Sequence, residues 1–247
     1  MLDFLVALQF LTVSPPILRR TFSAQEMGRA VGWYPLVGMV LGGIVAGGAS
    51  LLDRFFPQPL SAALTLALWV TLTGGLHIDG FLDACDGLLG GATPEKRMEI
   101  MRDHRIGAFA FIGGALLFLT KFSALIALRD TGWQLPAVIL APTLGRWAMS
   151  LAVSAFPYAR PAGLGLEMKA HVTWRQVALA SVTAFVAAWF LAHWQGLIAL
   201  VVAVLTLMAV AFFTLRRIPG LTGDIYGLIC ELTELAVLLL FAARGLV

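Results

Sequence analysis

Between Gln176 and Leu215 the chain reads QVALASVTAFVAAWFLAHWQGLIALVVAVLTLMAVAFFTL, forty residues without an Asp, Glu, Lys or Arg. A helix rises about 1.5 Å per residue, so a single straight helix of this length would be twice what a roughly 30 Å hydrocarbon core requires. The run therefore predicts two membrane helices joined by a turn at His193-Trp194-Gln195-Gly196. Ala30 to Leu52 and Phe55 to Leu76 are equally free of those charges. Over the 247 residues, 60% are hydrophobic and 13% charged, where a soluble domain carries about 25% charged residues. Mean hydropathy is +0.89. A globular core of this length cannot hide so much apolar surface. Disordered chains are polar and charge-rich, so disorder is excluded too.

Along the rest of the chain, seven spans are predicted near 30–52, 59–76, 107–128, 134–156, 174–192, 196–214 and 225–243. The expected fold is an all-α polytopic membrane helix bundle, one integral-membrane domain over 1–247. The short apolar run Phe4 to Val13, stopped by Pro15-Pro16, reads as an interfacial or re-entrant helix. No positive n-region of a signal peptide precedes it. Seven spans put alternate loops on opposite sides. One side collects Arg19, Arg20, Arg29, Lys96, Arg97, Arg102, Arg105, Arg160, Lys169, Arg175, Arg216 and Arg217, twelve of the 17 cations. The other side has Arg54, Arg129 and Arg244. The positive-inside rule assigns the twelve to the cytoplasm. Net charge is +3 and the pI about 9.2, but the cations flank spans. Topology explains them better than nucleic-acid binding.

The basic side also carries most acids, so chemistry is expected in a cytoplasmic loop over about 77–106. It opens with Leu76-His-Ile-Asp-Gly-Phe-Leu-Asp-Ala-Cys-Asp-Gly87. Asp79, Asp83 and Asp86 stand at i, i+4 and i+7, one face of a helix. Three like charges on one stripe repel unless a cation sits between them. An all-oxygen set suits Mg²⁺ or Mn²⁺. Next come Thr93 and Pro94, a hydroxyl N-cap and a first-turn proline that start a helix. Glu95, Glu99 and Asp103 share its face, beside Lys96, Arg97, Arg102 and Arg105. Carboxylates for a metal and arginines for phosphate make a metal–phosphate centre, with a further carboxylate able to take a proton from an attacking hydroxyl. The bland alternative is a solvated mixed-charge surface. His77 reads as a substrate contact or as a structural histidine. Cys85 and Cys230 suggest neither a disulfide framework nor a zinc site.

Four charged residues, Lys121, Arg146, Glu231 and Glu234, fall well inside spans. Arg146 is near the middle of one, where a charge costs about 2.5–3.5 kcal/mol and marks function or an ion pair. Lys121 either faces a polar interior or snorkels toward the outer interface. Asp224 and Glu231, with Glu234 a turn further, form an acidic set needing cations. Structural ion pairing is the competing reading.

These motifs, in order along nearly the whole chain, resemble the cobalamin synthase family, also called adenosylcobinamide-GDP ribazoletransferase. The likeness rests on Leu76-His-x-Asp-Gly-x-x-Asp-x-x-Asp-Gly87, Arg97-x-Glu-Ile-Met-x-Asp-x-Arg-x-Gly107, Lys121-Phe122, Gly145-Arg146 and Leu221-Thr-Gly-Asp-x-x-Gly227 with Glu231 and Glu234. Leu8-Gln-Phe-Leu-Thr12 and Tyr34-Pro-Leu-Val-Gly38 fit as well. The resemblance implies transfer of α-ribazole, or its 5′-phosphate, to adenosylcobinamide-GDP, with Mg²⁺ and release of GMP, in nucleotide-loop assembly of cobalamin. It implies an enzyme of the bacterial cytoplasmic (inner) membrane. A homo-oligomer or association with other cobalamin-assembly enzymes is left open. With spacing and charge, it suggests Asp79, Asp83, Asp86, Asp103 and Glu99 for metal, Asp103 and Asp83 as catalytic groups, and Arg102, Arg105, Arg146, Lys121, His77, Asp224 and Glu231 for substrate. Two alternatives stay open. One is an enzyme like the CDP-alcohol phosphotransferases, whose pattern Asp83-x2-Asp86-Gly87 partly meets. The other is a cation or corrinoid carrier without chemistry.

Overall fold

A computed structural model describes residues 2–103 and 105–243. Arg244, one of the outer cations, lies outside the described residues. The architecture is all-α. The helices are α1 (Leu2–Leu11), α2 (Ala24–Ala30), α3 (Tyr34–Phe55), α4 (Gln58–Thr73), α5 (Leu76–Gly90), α6 (Pro94–Ile100), α7 (Ala108–Leu128), α8 (Gln134–Ala155), α9 (Leu164–Ala170), α10 (Trp174–Leu215) and α11 (Gly223–Ala242).

By length and composition, five helical segments suffice to cross a membrane, and α4 with α5 forms a sixth that is bent by 92°. The segment Trp174–Leu215 counts once there but has two limbs. Helical dihedrals fail at His193 (φ 46°, ψ −122°). A Cβ on Gly196 would collide with the Ala188 carbonyl oxygen. Residues eight apart on a straight helix are about 12 Å apart, so the chain has reversed at the turn expected from sequence. With both limbs counted, the bundle has seven apolar limbs.

The second limb differs from expectation. Helix α4 has 16 residues, about 24 Å at the helical rise. It stops at Gly74 and Gly75, both in the left-handed region (φ 61° and 71°), where glycine carries no steric penalty. The chain then turns into α5. The segment expected to be a loop is thus helical in its first half, and the carboxylates sit on a helix face. At α6, the Thr93 hydroxyl accepts from the Lys96 amide with Pro94 in the first turn, as its sequence predicts.

Two ends can be told apart by which loops touch. At one end α2 packs on α9, Arg97 donates to the Arg217 carbonyl, and Tyr158 and Leu221 form a parallel bridge. At the other, the Gln134 amide donates to Asp53 at 3.0 Å, Gln58 donates to the Ile126 carbonyl, and Trp133 packs on Phe241. The first group comprises the loops that carry the twelve cations. In α3, Gly38 and Gly42 press on α8, where a Cβ would meet Pro142 and Ile139 backbone atoms within 3 Å. Gly43 and Gly47 have nothing within 4 Å among the described residues.

Candidate functional site

The cation-rich end holds a cavity of about 320 Å³. Its position follows from a helix crossing. A Cβ on Gly227 would lie 2.8 Å from the His77 carbonyl oxygen, and one on Gly80 would lie 3.0 Å from the Asp224 Cα. Any larger residue would separate α5 from α11. Because both are glycine, His77, Asp79 and Asp224 come to one wall of the cavity.

The segment after α8 lines the cavity as well. Its backbone is tied to the start of α11 by Ala159 N–H to the Leu221 carbonyl and Leu221 N–H to the Pro157 carbonyl, both 2.8 Å. Lys169 holds the same region by donating to the last carbonyls of α8, Val153 (2.8 Å) and Ser154 (3.1 Å). This places Tyr158 and Arg160 on the cavity. Arg160 Nη2 lies 2.6 Å from Asp224 Oδ2. Burial raises the pKa of the Tyr158 phenol, opposed in part by the positive charge of Arg160, so the hydroxyl stays protonated. Arg160 also lines a neighbouring groove with Glu95, Met98, Glu99 and Arg102 of the α6 region. Arg160 thus borders both the carboxylate–arginine cavity and the mixed-charge α6 groove.

The other expected residues are distributed as follows. Asp83 is half-buried, one turn beyond Asp79 on α5. Asp86 is buried and caps α7: its Oδ2 accepts from Gly107 N–H at 2.6 Å and its Oδ1 from Ala110 N–H at 2.8 Å. A helix N-terminus supplies such orphan donors and favours negative charge. Asp103 is paired with exposed Arg105 at 2.6 Å, and Glu99 with Lys96 at 2.8 Å. Cys85 packs toward Gly113 of α7, away from the carboxylates.

Lys121, Arg146 and Glu231 are not among the described residues that line the cavity. Lys121 Nζ lies 2.5 Å from Glu231 and 2.6 Å from Glu234, and Arg146 pairs with Glu234 as well. Two cations and two anions thus neutralise one another inside the bundle, where an unpaired charge is expensive. The structure favours the ion-pair reading of Lys121 over snorkelling. One strand of this network reaches the cavity: Arg146 Nη2 is 3.1 Å from His77 Nδ1.

Among the described residues, no group of three or more His, Cys, Asp or Glu is arranged to hold a metal ion. Mg²⁺, however, is usually bound by one or two carboxylates plus substrate phosphates. Asp79, exposed at the cavity, is a carboxylate of the kind such a site would use, and Asp83, one turn on and not among the lining residues, is a second.

In the sequence Arg160 reads only as a topological cation, and Tyr158 and Tyr226 go unremarked. The signal available for Arg160 is a cation flanked by Pro157 and Pro161 in a segment between helices.

Fold and site together define a polytopic membrane protein with a carboxylate–arginine centre at its cation-rich end. The chain belongs to the cobalamin-5-phosphate synthase family, whose model matches residues 3–242. It is 42% identical over 251 residues to the adenosylcobinamide-GDP ribazoletransferase of Pseudomonas savastanoi pv. phaseolicola, covering 98% of this chain and 99% of the relative. It is 37% identical over 239 residues to the enzyme of the same name from Desulfitobacterium hafniense, covering 95% and 94%. No solved structure matches.

Proposed function

We propose that this chain joins α-ribazole, or its 5′-phosphate, to adenosylcobinamide-GDP, giving adenosylcobalamin, or its phosphate, and GMP. The observation that carries the reading is the cavity lined by Asp79, Asp224 and Arg160, which shares Arg160 with the Arg102 groove, in a chain of this family. A ribose hydroxyl attacks the phosphorus attached to cobinamide. The bond from that phosphorus to the bridging oxygen of GMP breaks, and GMP leaves with the electron pair.

Arginines grip phosphate oxygens bidentately, which gives Arg102 and Arg160 the diphosphate, with Arg105 beside them. Asp79 and Asp83 are the residues to hold Mg²⁺, or Mn²⁺ in its place. Glu99 on α6 and Asp103, which lies past the end of that helix rather than on its face, are further ligands. Asp86 supports the set by fixing α5 to α7. When bound, the metal neutralises charge that builds on the diphosphate and leaving group. Asp103 or Asp83 takes the proton of the attacking hydroxyl. The site faces the cytoplasm of a bacterial inner membrane, because the twelve cations lie at its end of the bundle.

The test is direct. Detergent-purified protein is incubated with both substrates, with and without Mg²⁺, and products are separated chromatographically. Mg²⁺-dependent adenosylcobalamin and GMP support the reading. No product from folded, metal-loaded protein sinks it.

A further inference from the structure

We propose that the 320 Å³ cavity seats the smaller substrate, the aromatic N-riboside, and that His77 anchors it as a hydrogen-bond donor whose tautomer Arg146 fixes. The larger corrinoid nucleotide then approaches over the α6 groove. This assignment rests on the functional reading above.

Size favours the smaller substrate. Pockets for small ligands run roughly 300–1,000 Å³, and this cavity lies at the lower end of that range. A bicyclic aromatic base with one ribose fits such a space. A corrin macrocycle bearing a nucleotide does not. The lining agrees. Phe10, Tyr34, Met149, Val153 and Met168 make an apolar end, and the Tyr34 hydroxyl is already engaged with Met168 Sδ at 3.4 Å. Aromatic faces and thioethers suit a flat aromatic ring. The carboxylates and Arg160 lie at the polar end, where a ribose hydroxyl must meet the diphosphate.

Two orphaned polar atoms point the same way. His77 Nε2 and the Tyr226 hydroxyl are buried, without a hydrogen-bond partner among the described residues, on side chains that are each 3% exposed and line the cavity. A buried polar group left unpaired is costly and calls for a partner. A guanidinium has donors only. With Arg146 Nη2 3.1 Å from Nδ1, that ring nitrogen accepts, and the imidazole proton resides on Nε2. The Nε2 proton is therefore a donor that the described residues leave unpaired, on a side chain that lines the cavity. Arg146 is held in turn by Glu234, and Glu234 by Lys121. The intramembrane network thus acts on substrate through His77, and Arg146 is a positioning residue.

Binding of α-ribazole and of adenosylcobinamide-GDP is measured separately, by calorimetry on the full chain in detergent, with steady-state kinetics on the same preparations. Met149→Trp, and independently Val153→Phe, narrow the apolar end. The expected result is at least a tenfold loss of α-ribazole affinity with adenosylcobinamide-GDP affinity within twofold of wild type. His77→Asn, which reaches only the Nδ1 position, raises KM for α-ribazole about tenfold and leaves KM for adenosylcobinamide-GDP unchanged. His77→Gln, whose amide reaches the Nε2 position, restores most of that loss. A monodisperse filled variant that binds α-ribazole normally, or loses adenosylcobinamide-GDP instead, overturns the assignment while product formation by wild type leaves the functional reading standing. Wild-type protein that forms no product overturns both.

Discussion

Arg160 and Asp224, sixty-four residues apart in sequence, face each other across 2.6 Å in the lining of the cavity. The pair joins the segment after α8 to the first turn of α11. Arg160 is also the one side chain common to the cavity and the α6 groove among their described lining residues. It can hand one face of its guanidinium to Asp224 and another to a phosphate. Arg160→Gln is expected to lower kcat/KM about tenfold to a hundredfold, the range of one hydrogen bond to a charged group at about 1.5–3 kcal/mol. Thermal unfolding in detergent checks that the loss is not one of folding. Unchanged kinetics would remove Arg160 from the phosphate site.

The α5 aspartates are expected to divide by role. Asp79→Asn and Asp83→Asn raise the Mg²⁺ concentration needed for half-maximal activity, and chelation of the metal abolishes activity in wild type. Asp86→Ala instead removes the acceptor for Gly107 and Ala110 amides. Lost caps cost about 0.5–2 kcal/mol, so its melting temperature falls in metal-free buffer. Titration of activity against Mg²⁺, beside melts without metal, separates the two effects. Asp86→Ala with unchanged melting would contradict the cap.

The intramembrane ion network gives a stability prediction. Lys121→Met leaves Glu231 and Glu234 sharing Arg146 alone, with one uncompensated buried anion. Breaking a buried pair from one side costs about 3–5 kcal/mol. The double variant Lys121→Met with Glu231→Gln removes both charges and should recover most of the melting temperature. A double variant no more stable than Lys121→Met would show that the charges do not act as a pair.

The α10 hairpin gives a fourth test. His193 sits at φ 46°, a conformation glycine adopts without the Cβ penalty. His193→Gly is expected to raise the melting temperature slightly. Gly196→Val inserts side-chain atoms where a Cβ alone would collide with the Ala188 carbonyl. Overpacking costs about 1–3 kcal/mol or more, so this variant should melt earlier. Equal melting of both variants with wild type would argue against the hairpin geometry.

Much of the site is legible in the order of residues. The i, i+4, i+7 spacing of Asp79, Asp83 and Asp86 announces a helical face, and α5 is helical there. Arg146 and Lys121 read as charges that call for partners, because an unpaired ion in hydrocarbon is expensive. Which acids satisfy them is not readable. Glu231 and Glu234 lie 110 and 113 residues beyond Lys121, and no local pattern links them. Asp86 shows the same limit: its spacing fits a ligand, while its oxygens meet the amides of a helix that begins about twenty-one residues later.

Residue order alone is enough to identify the bilayer as solvent, the apolar limbs, the reversal near His193 and the set of loops that gather at one end. Those follow from transfer free energies that accumulate residue by residue along a contiguous stretch. The pairing of Arg160 with Asp224, the neutral network around Glu234 and the orientation of His77 come from the folded bundle instead. Each depends on where helices cross, above all at Gly80 and Gly227, and close packing sets that crossing through contacts between residues far apart in the chain.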